Sequence, residues 1–137
     1  MKRRRFLLLA AALATGASAG ASTRDNAEAD REFARAIGDR VAGEPQNCID
    51  QSRVTWPQIV GDRTLIYRQS GRRLWVSQLP DTCPFLRRDS ILIVYVNSGQ
   101  LCRRDRFQTI TPLTSIPSAS CFFGVFTPYD KPKPNPG

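Results

Sequence analysis

The stretch Cys83-Pro-Phe-Leu-Arg-Arg-Asp-Ser90, Ile91-Leu-Ile-Val-Tyr-Val96, Asn97-Ser-Gly99, Gln100-Leu-Cys102-Arg-Arg-Asp105 decides the reading of this chain. An apolar, β-branched run, a Gly-containing turn and a second short run predict a β-hairpin. With Ser98 and Gly99 as loop residues, Asn97 faces Gln100, Val96 faces Leu101 and Tyr95 faces Cys102. Side chains alternate across a strand, so Leu92, Val94, Val96 and Leu101 share one face. Ile91, Ile93, Tyr95 and Cys102 share the other. Both faces are largely apolar, which predicts a central strand covered on both sides.

Working outward, Thr64–Tyr67 and Arg73–Leu79 form another hairpin around Gln69-Ser-Gly71. Gln46–Thr55 is the expected first strand, ended by Trp56-Pro57 because proline cannot donate to a ladder. Ile59-Val60 leads into a Gly61-Asp62 turn. Phe107–Leu113 is a further β-prone piece, Ser115–Ser118 is loop, and Ser120–Phe126 is the last strand. The expected fold is mainly β: a small, disulfide-stapled antiparallel β-barrel or sandwich with one N-terminal helix. Nothing alternates as βαβ, which argues against a parallel sheet with a nucleotide crevice.

The helix is placed from about Ala27 to Val41. Phe33, Ile37 and Val41 recur at i, i+4 and i+8, acids crowd its first turns, and Gly43 and Pro45 stop it. It is read as a cover for the sheet, with a mobile tether as the rival. Residues 20–43 are thus linker and amphipathic helix, 44–129 the β domain, and 130–137 a disordered Pro/Lys tail.

Residues 1–19 read as a signal peptide. Lys2, Arg3, Arg4 and Arg5 form a basic n-region, Phe6–Leu13 an apolar run too short to span a bilayer, and Ala17-Ser18-Ala19 a cleavage site. Cleavage leaves a periplasmic or secreted protein that does not span the membrane. Losing those four basic residues takes the formal charge from +8 to +4. From Glu44 onward there are 12 basic residues, mostly arginine, against seven acids. An exported protein seldom meets nucleic acid, so the expected partner is an anionic envelope component or an acidic protein.

All four cysteines, Cys48, Cys83, Cys102 and Cys121, lie beyond the signal segment, and an even count in an oxidising compartment predicts two disulfides. Of the three connectivities, Cys83–Cys102 and Cys48–Cys121 are favoured. The first would close the loop leading into the central hairpin, and the second would tie first strand to last in a closed barrel. A core of this size is marginal alone, so the bonds have a thermodynamic purpose.

Ala42-Gly43-Glu44-Pro45 running into Cys48-Ile49, a Trp before the first turn, Cys83-Pro84, Leu101-Cys102 followed by Asp105, and a late Cys121 resemble a family of exported bacterial proteins, domain of unknown function 6491. The resemblance covers Gly43 to about Phe126. It implies a proteobacterial periplasmic protein without an assigned activity, and it carries over no catalytic residues.

The residues offer little chemistry. Histidine is absent, which excludes Ser-His-Asp and Cys-His devices and weakens any zinc reading. No metal or cofactor is expected. Asp50, Asp62, Asp81, Asp89 and Asp105 are read mainly as turn and capping residues, with Asp105 a charge partner for Arg104 and Arg106. The candidate anion-binding residues are Arg72, Arg73, Arg87, Arg88, Arg103, Arg104 and Arg106, all flanking strand ends, with a solvated rim as the plainer account. Trp56 and Trp75 are read as core, with ligand stacking as the alternative. The expected function is a non-enzymatic binding or interaction module. The alternatives are an inhibitor of an envelope hydrolase and, last, an enzyme with an Asp/Arg/Tyr site.

Overall fold

The structure, a computed structural model, describes residues 20–137. The expected signal segment lies outside the described residues. The chain runs α1 (Gly20–Ile37), β1 (Val41–Ala42), β2 (Cys48–Asp50), a 3-10 turn (Gln51–Arg53), β3 (Gln58–Val60), β4 (Thr64–Arg68), β5 (Arg73–Gln78), β6 (Ile91–Val94), β7 (Gln100–Cys102), β8 (Arg106–Ile110), β9 (Cys121–Phe122) and β10 (Phe126–Asp130). The fold is mainly β with one α-helix. All strand pairs are antiparallel.

The strands fall into three sheets, and no closed barrel forms among the described residues: β1-β10-β5-β4-β3, β2-β7 and β6-β8-β9. The largest sheet is the central layer. Thr64–Tyr67 and Leu74–Ser77 are buried along their whole length, as strands covered on both faces must be. Side-chain alternation sends Val60, Ile66, Leu74 and Val76 to one face, where they meet Ile37 with Ala29, Phe33 and Ala36 of α1. Ile59, Leu65, Tyr67, Trp75 and Phe126 go to the other, where they pack with Ile49, Leu92, Leu101, Phe107 and Phe123 from the smaller sheets. Phe107 and Phe123 lie 4.8 Å apart and Phe123 and Phe126 5.7 Å apart between ring centroids. Each of these three rings is fully buried, which stabilises the fold by about 2–3 kcal/mol per ring.

The two-sided strand is therefore β4 or β5, not the Ile91–Val96 run. The Asn97–Gln100 turn forms as expected, with Ser98 at φ 59° and Gly99 at φ 74°. Beyond it the arms part. β6 pairs with β8, and β7 pairs with β2. The Tyr95 N–H already donates to the Arg106 carbonyl at 3.0 Å, so β8 has captured β6 before the turn begins. That makes β6 an edge strand. Its Leu92 face is core, whereas Ile91 and Tyr95 are exposed.

Helix α1 starts earlier and stops earlier than the sequence predicts. Gly38 takes φ 63° and donates its N–H to the Ala34 carbonyl at 3.0 Å, which closes the last turn. Val41, expected in the helix, belongs to β1 opposite Asp130. Arg40 then fixes the helix end. Its guanidinium donates to the carbonyls of Ile37 (3.1 Å), Gly71 (2.9 Å) and Arg72 (3.3 Å), placing positive charge at the negative end of the helix dipole. No acid lies in the first turn, because that turn is now Gly20–Thr23. The helix docks: Ile37 is buried, and the Phe33 ring meets Tyr129 edge-on at 6.1 Å.

The expected last strand is two strands. A Cβ on Gly124 would sit 1.8 Å from the Gln78 carbonyl oxygen. Only glycine lets the chain pass here, and its N–H donates to the buried Ser77 Oγ at 3.1 Å. The segment crosses at this point from the β6-β8-β9 sheet to the central sheet. The β region also reaches past residue 129. Asp130 pairs with Arg73 and Val41, and the N–H of Lys131 donates to the Arg72 carbonyl at 3.0 Å.

Candidate functional site

Strand β2 runs antiparallel to β7 in a register that sets Cys48 directly opposite Cys102, with Cα atoms 4.0 Å apart. These two form one disulfide, and Cys83 forms the other with Cys121 of β9. The favoured pairing, Cys83–Cys102 and Cys48–Cys121, is therefore corrected. It assumed that β7 stays beside β6 and that first and last strands meet in a barrel. Instead β7 leaves β6 for β2 and takes Cys102 with it.

The same bond anchors the turn Cys102-Arg103-Arg104-Asp105. The Asp105 carboxylate accepts the Cys102 N–H at 2.7 Å, and the Asp105 N–H donates to the Cys102 carbonyl at 3.0 Å. Arg103 N–H donates to Asn47 (2.6 Å) and Arg104 N–H to Phe123 (2.9 Å), both at carbonyls. Arg104 holds φ 72°, a left-handed conformation that these bonds impose on a side-chain-bearing residue. Asp105 thus pairs with backbone, not with Arg104 or Arg106. Both guanidiniums of Arg103 and Arg104 are exposed and lack a side-chain hydrogen bond or ion pair among the described residues. With Asn47 and the Cys48–Cys102 bridge they line an open hollow of about 310 Å³.

The other candidate arginines are mostly engaged with neighbouring groups. Arg73 grips Asp130 with two bonds, 2.7 and 2.6 Å, and lies 5.4 Å from the centre of the Trp75 ring. That fork holds the Asp130 carboxyl below its ordinary range and pushes Arg73 up. Arg72 donates to the carbonyls of Lys131 (3.1 Å) and Pro132 (2.9 Å). Arg88 is paired with Glu32 at 2.7 Å and Glu28 at 3.8 Å on α1. Arg106 stacks on Tyr95 at 4.3 Å. Arg87 is exposed; its backbone N–H donates to Ser90 Oγ and its carbonyl accepts from the Ser90 N–H, while its guanidinium has no partner among the described residues. Arg103 and Arg104 stand together, without a side-chain partner among the described residues.

The two tryptophans divide. Trp75 is core, its indole N–H donating to Gln69 Oε1 at 2.6 Å. Trp56 is 63% exposed and lines a cavity with Gln51, Val54, Thr55, Pro57, Tyr67, Leu92, Val94 and Leu101. Of the acids, Asp50 caps the 3-10 turn. It accepts from Ser52 Oγ (2.6 Å) and Ser52 N–H (2.9 Å), which lower its pKa. Among the described residues no group of three or more His, Cys, Asp or Glu side chains is placed to hold a metal ion. Asn47 and Tyr67 were missed by sequence reasoning. Asn47 carries no signal of its own, and Tyr67 looks like any aromatic in an apolar strand.

A helix-backed, antiparallel β fold tied by two disulfides defines the structural class. Residues 2–133 match the model of a family of unknown function (DUF6491), and the chain belongs to that family. The match extends well beyond the Gly43–Phe126 resemblance on both sides. No curated protein and no solved structure matches the chain. Among the described residues no helix is long and apolar enough to cross a membrane.

Proposed function

We propose that this protein is a non-enzymatic binding module of the cell envelope, exported after cleavage at Ala19, that holds an anionic group at the Cys102–Asp105 turn. The observation that carries the reading is the state of Arg103 and Arg104. Two adjacent guanidiniums, without a side-chain partner among the described residues, project from a turn fixed by a disulfide, three backbone–backbone hydrogen bonds and the Cys102 N–H bond to the Asp105 carboxylate. Guanidinium forks match phosphate and carboxylate oxygens, and a preordered turn loses little entropy on binding. The two disulfides and the absence of a membrane-crossing helix among the described residues support a periplasmic or secreted location. The packing of residues from the smaller sheets against one face of the central sheet supports a rigid scaffold for such a turn. None of the cavities described above has two carboxylates in its wall, so the paired-acid enzyme is the weaker reading.

The ligand class is a phosphate-bearing envelope lipid. Vesicle co-sedimentation at low salt tests it, comparing anionic phospholipid with zwitterionic phospholipid. Binding is expected only to the anionic vesicles, to fall steeply with added salt, and to drop at least tenfold in Arg103→Ala/Arg104→Ala but not in Arg88→Ala. Binding that is absent at low ionic strength, or untouched by the double substitution, refutes the proposal.

A further inference from the structure

The loop between β8 and β9, residues 111–120, is exposed over most of its length and carries no charged side chain. The uncharged stretch is longer than the loop. Phe107 to Tyr129 holds no Asp, Glu, Lys or Arg, in a chain where 23% of residues are charged. The Thr114 N–H donates to the Thr111 carbonyl at 3.1 Å and the two threonine hydroxyls lie 2.9 Å apart, closing a turn with Pro112 and Leu113 at its centre. Leu113 is 95% exposed at that tip, and Ile116 is 79% exposed three residues on. A second proline turn contributes Phe85. The Leu86 N–H donates to the Cys83 carbonyl at 3.1 Å, which puts Pro84 and Phe85 at the centre, and the Cys83–Cys121 bridge fixes the base. Phe85 takes φ 67° with most of its ring in solvent, a conformation that a bulky side chain rarely adopts. Phe85 and Ile116 line one hollow of about 310 Å³, whose other walls are threonine, proline and serine. Ile91, also exposed, opens β6 opposite Ile110 at the foot of the loop.

Bulky apolar side chains held out of the core by ordered turns mark a contact surface. The charge around them selects what covers it. The segment Cys83–Tyr129, which supplies all four, holds five arginines against two aspartates. Of the aspartates, Asp105 is held by the Cys102 N–H and Asp89 is exposed. Arg87, two residues from Phe85, presents an exposed guanidinium without a partner among the described residues. A second copy would bring like charge against like charge across this face, whereas an anionic bilayer receives both the apolar tips and the arginine. We propose that Leu113, Ile116 and Phe85 form a membrane-inserting surface, entering the headgroup region of an anionic phospholipid bilayer while Arg87 pairs with a lipid phosphate. The arginine turn lies at the other end of the five-residue strand β8. The inference thus extends the envelope-lipid reading to a second surface. It rests on that reading for the anionic bilayer alone, because no residue of the Cys102–Asp105 turn takes part.

The test uses the disulfide-bonded protein carrying Trp56→Phe and Leu113→Trp, in which the new indole reports on the loop tip while Trp75 stays buried. Vesicles of phosphatidylglycerol and phosphatidylcholine should shift its emission to the blue, and vesicles of phosphatidylcholine alone should not at the same lipid concentration. In co-sedimentation with the mixed vesicles, Leu113→Ser/Ile116→Ser should bind at least about tenfold more weakly than wild type, through the loss of two aliphatic side chains from the lipid contact. Arg87→Ala should cost about fivefold. The two serines replace exposed side chains, so thermal melting should match wild type. Binding lost in Leu113→Ser/Ile116→Ser but kept in Arg103→Ala/Arg104→Ala upholds this surface and removes the arginine turn as the lipid site. The reverse pattern overturns this surface and leaves the turn. An indole whose emission is unchanged in the bound protein overturns the insertion, as does a concentration-dependent dimer that the serine changes dissolve. A wild type that binds neither vesicle overturns both readings.

Discussion

Removing the Cys48–Cys102 bond tests how the small β2-β7 sheet is held. The two residues are 54 positions apart, and the chain-entropy model gives about 4 kcal/mol for closing a loop of that size. The bond is placed where other support is thin, since β2 and β7 share only three residue pairs. What remains after its loss is the burial of Ile49 and Leu101, at 4% and 1% exposure, about 2 kcal/mol each. Those contacts keep the ribbon seated. Cys48→Ala/Cys102→Ala should therefore fold, with stability lower by about 4 kcal/mol, a large share of the roughly 5–15 kcal/mol of an ordinary domain. With a urea m-value of about 2 kcal/mol/M the midpoint falls by about 2 M. The variant should also show no free thiol, because Cys83 and Cys121 remain joined to each other. Urea titration followed by tryptophan fluorescence gives the first number and a thiol count on the folded protein the second. A loss below about 1 kcal/mol would refute the energetic reasoning. Two free thiols would refute the pairing itself.

Gly124→Ala forces a methyl against the Gln78 carbonyl oxygen at 1.8 Å, and thermal melting should show a loss of about 3 kcal/mol, the upper range for overpacking. Ile37→Ala removes the buried end of the α1 stripe and should cost about 2–3 kcal/mol; a change within 0.5 kcal/mol of zero on melting would mean that the helix is not docked in solution. Asp130→Asn should weaken the fold at neutral pH by under about 1 kcal/mol, because Arg73 and Asp130 are 39% and 41% exposed and solvent screens the pair. The Asp130 carboxyl titrates below its ordinary 3.8, so its stabilisation is complete above that pH and is lost as pH falls through the folded value. Wild-type and variant stability curves should converge in acid, and a gap that persists there would assign the effect to something other than ionisation.

Short-range signals in this chain were informative and long-range ones were not. The Gln69–Gly71 and Asn97–Gly99 turns, the β4–β5 hairpin and the apolar stripe of α1 are each set by residues within a few positions. Hydrophobic alternation also marked Leu92 and Leu101 as core. The partner of each arm beyond a turn is chosen elsewhere. β6 goes to β8 because Tyr95 bonds to Arg106, and β7 goes to β2, so a well-formed turn does not become a hairpin. The disulfide pairing failed for that reason, and because no closed barrel among the described residues brings first strand to last. The helix stops at Gly38 and not at the expected Gly43, because Val41 has a strand partner in Asp130. Of the candidate site, the clustered arginines were visible but not which of them would be free. Arg73 and Arg88 find acids 57 and 56 residues distant, distances over which sequence alone gives no register.

The two disulfides interlock in chain order: first cysteine with third, second with fourth. Under the proposed export, the chain enters an oxidising space N-terminus first and presents Cys48 and Cys83 before either native partner has arrived. An oxidant acting on thiols as they emerge joins these two, and that bond occurs nowhere in the folded protein. Reaching the native pattern then requires thiolate attack and exchange through mixed disulfides. The yield of folded protein consequently depends on a catalyst that reshuffles bonds and not only on one that makes them. A host lacking such a proofreading activity should accumulate the chain as a misbonded species, whatever its capacity for oxidation.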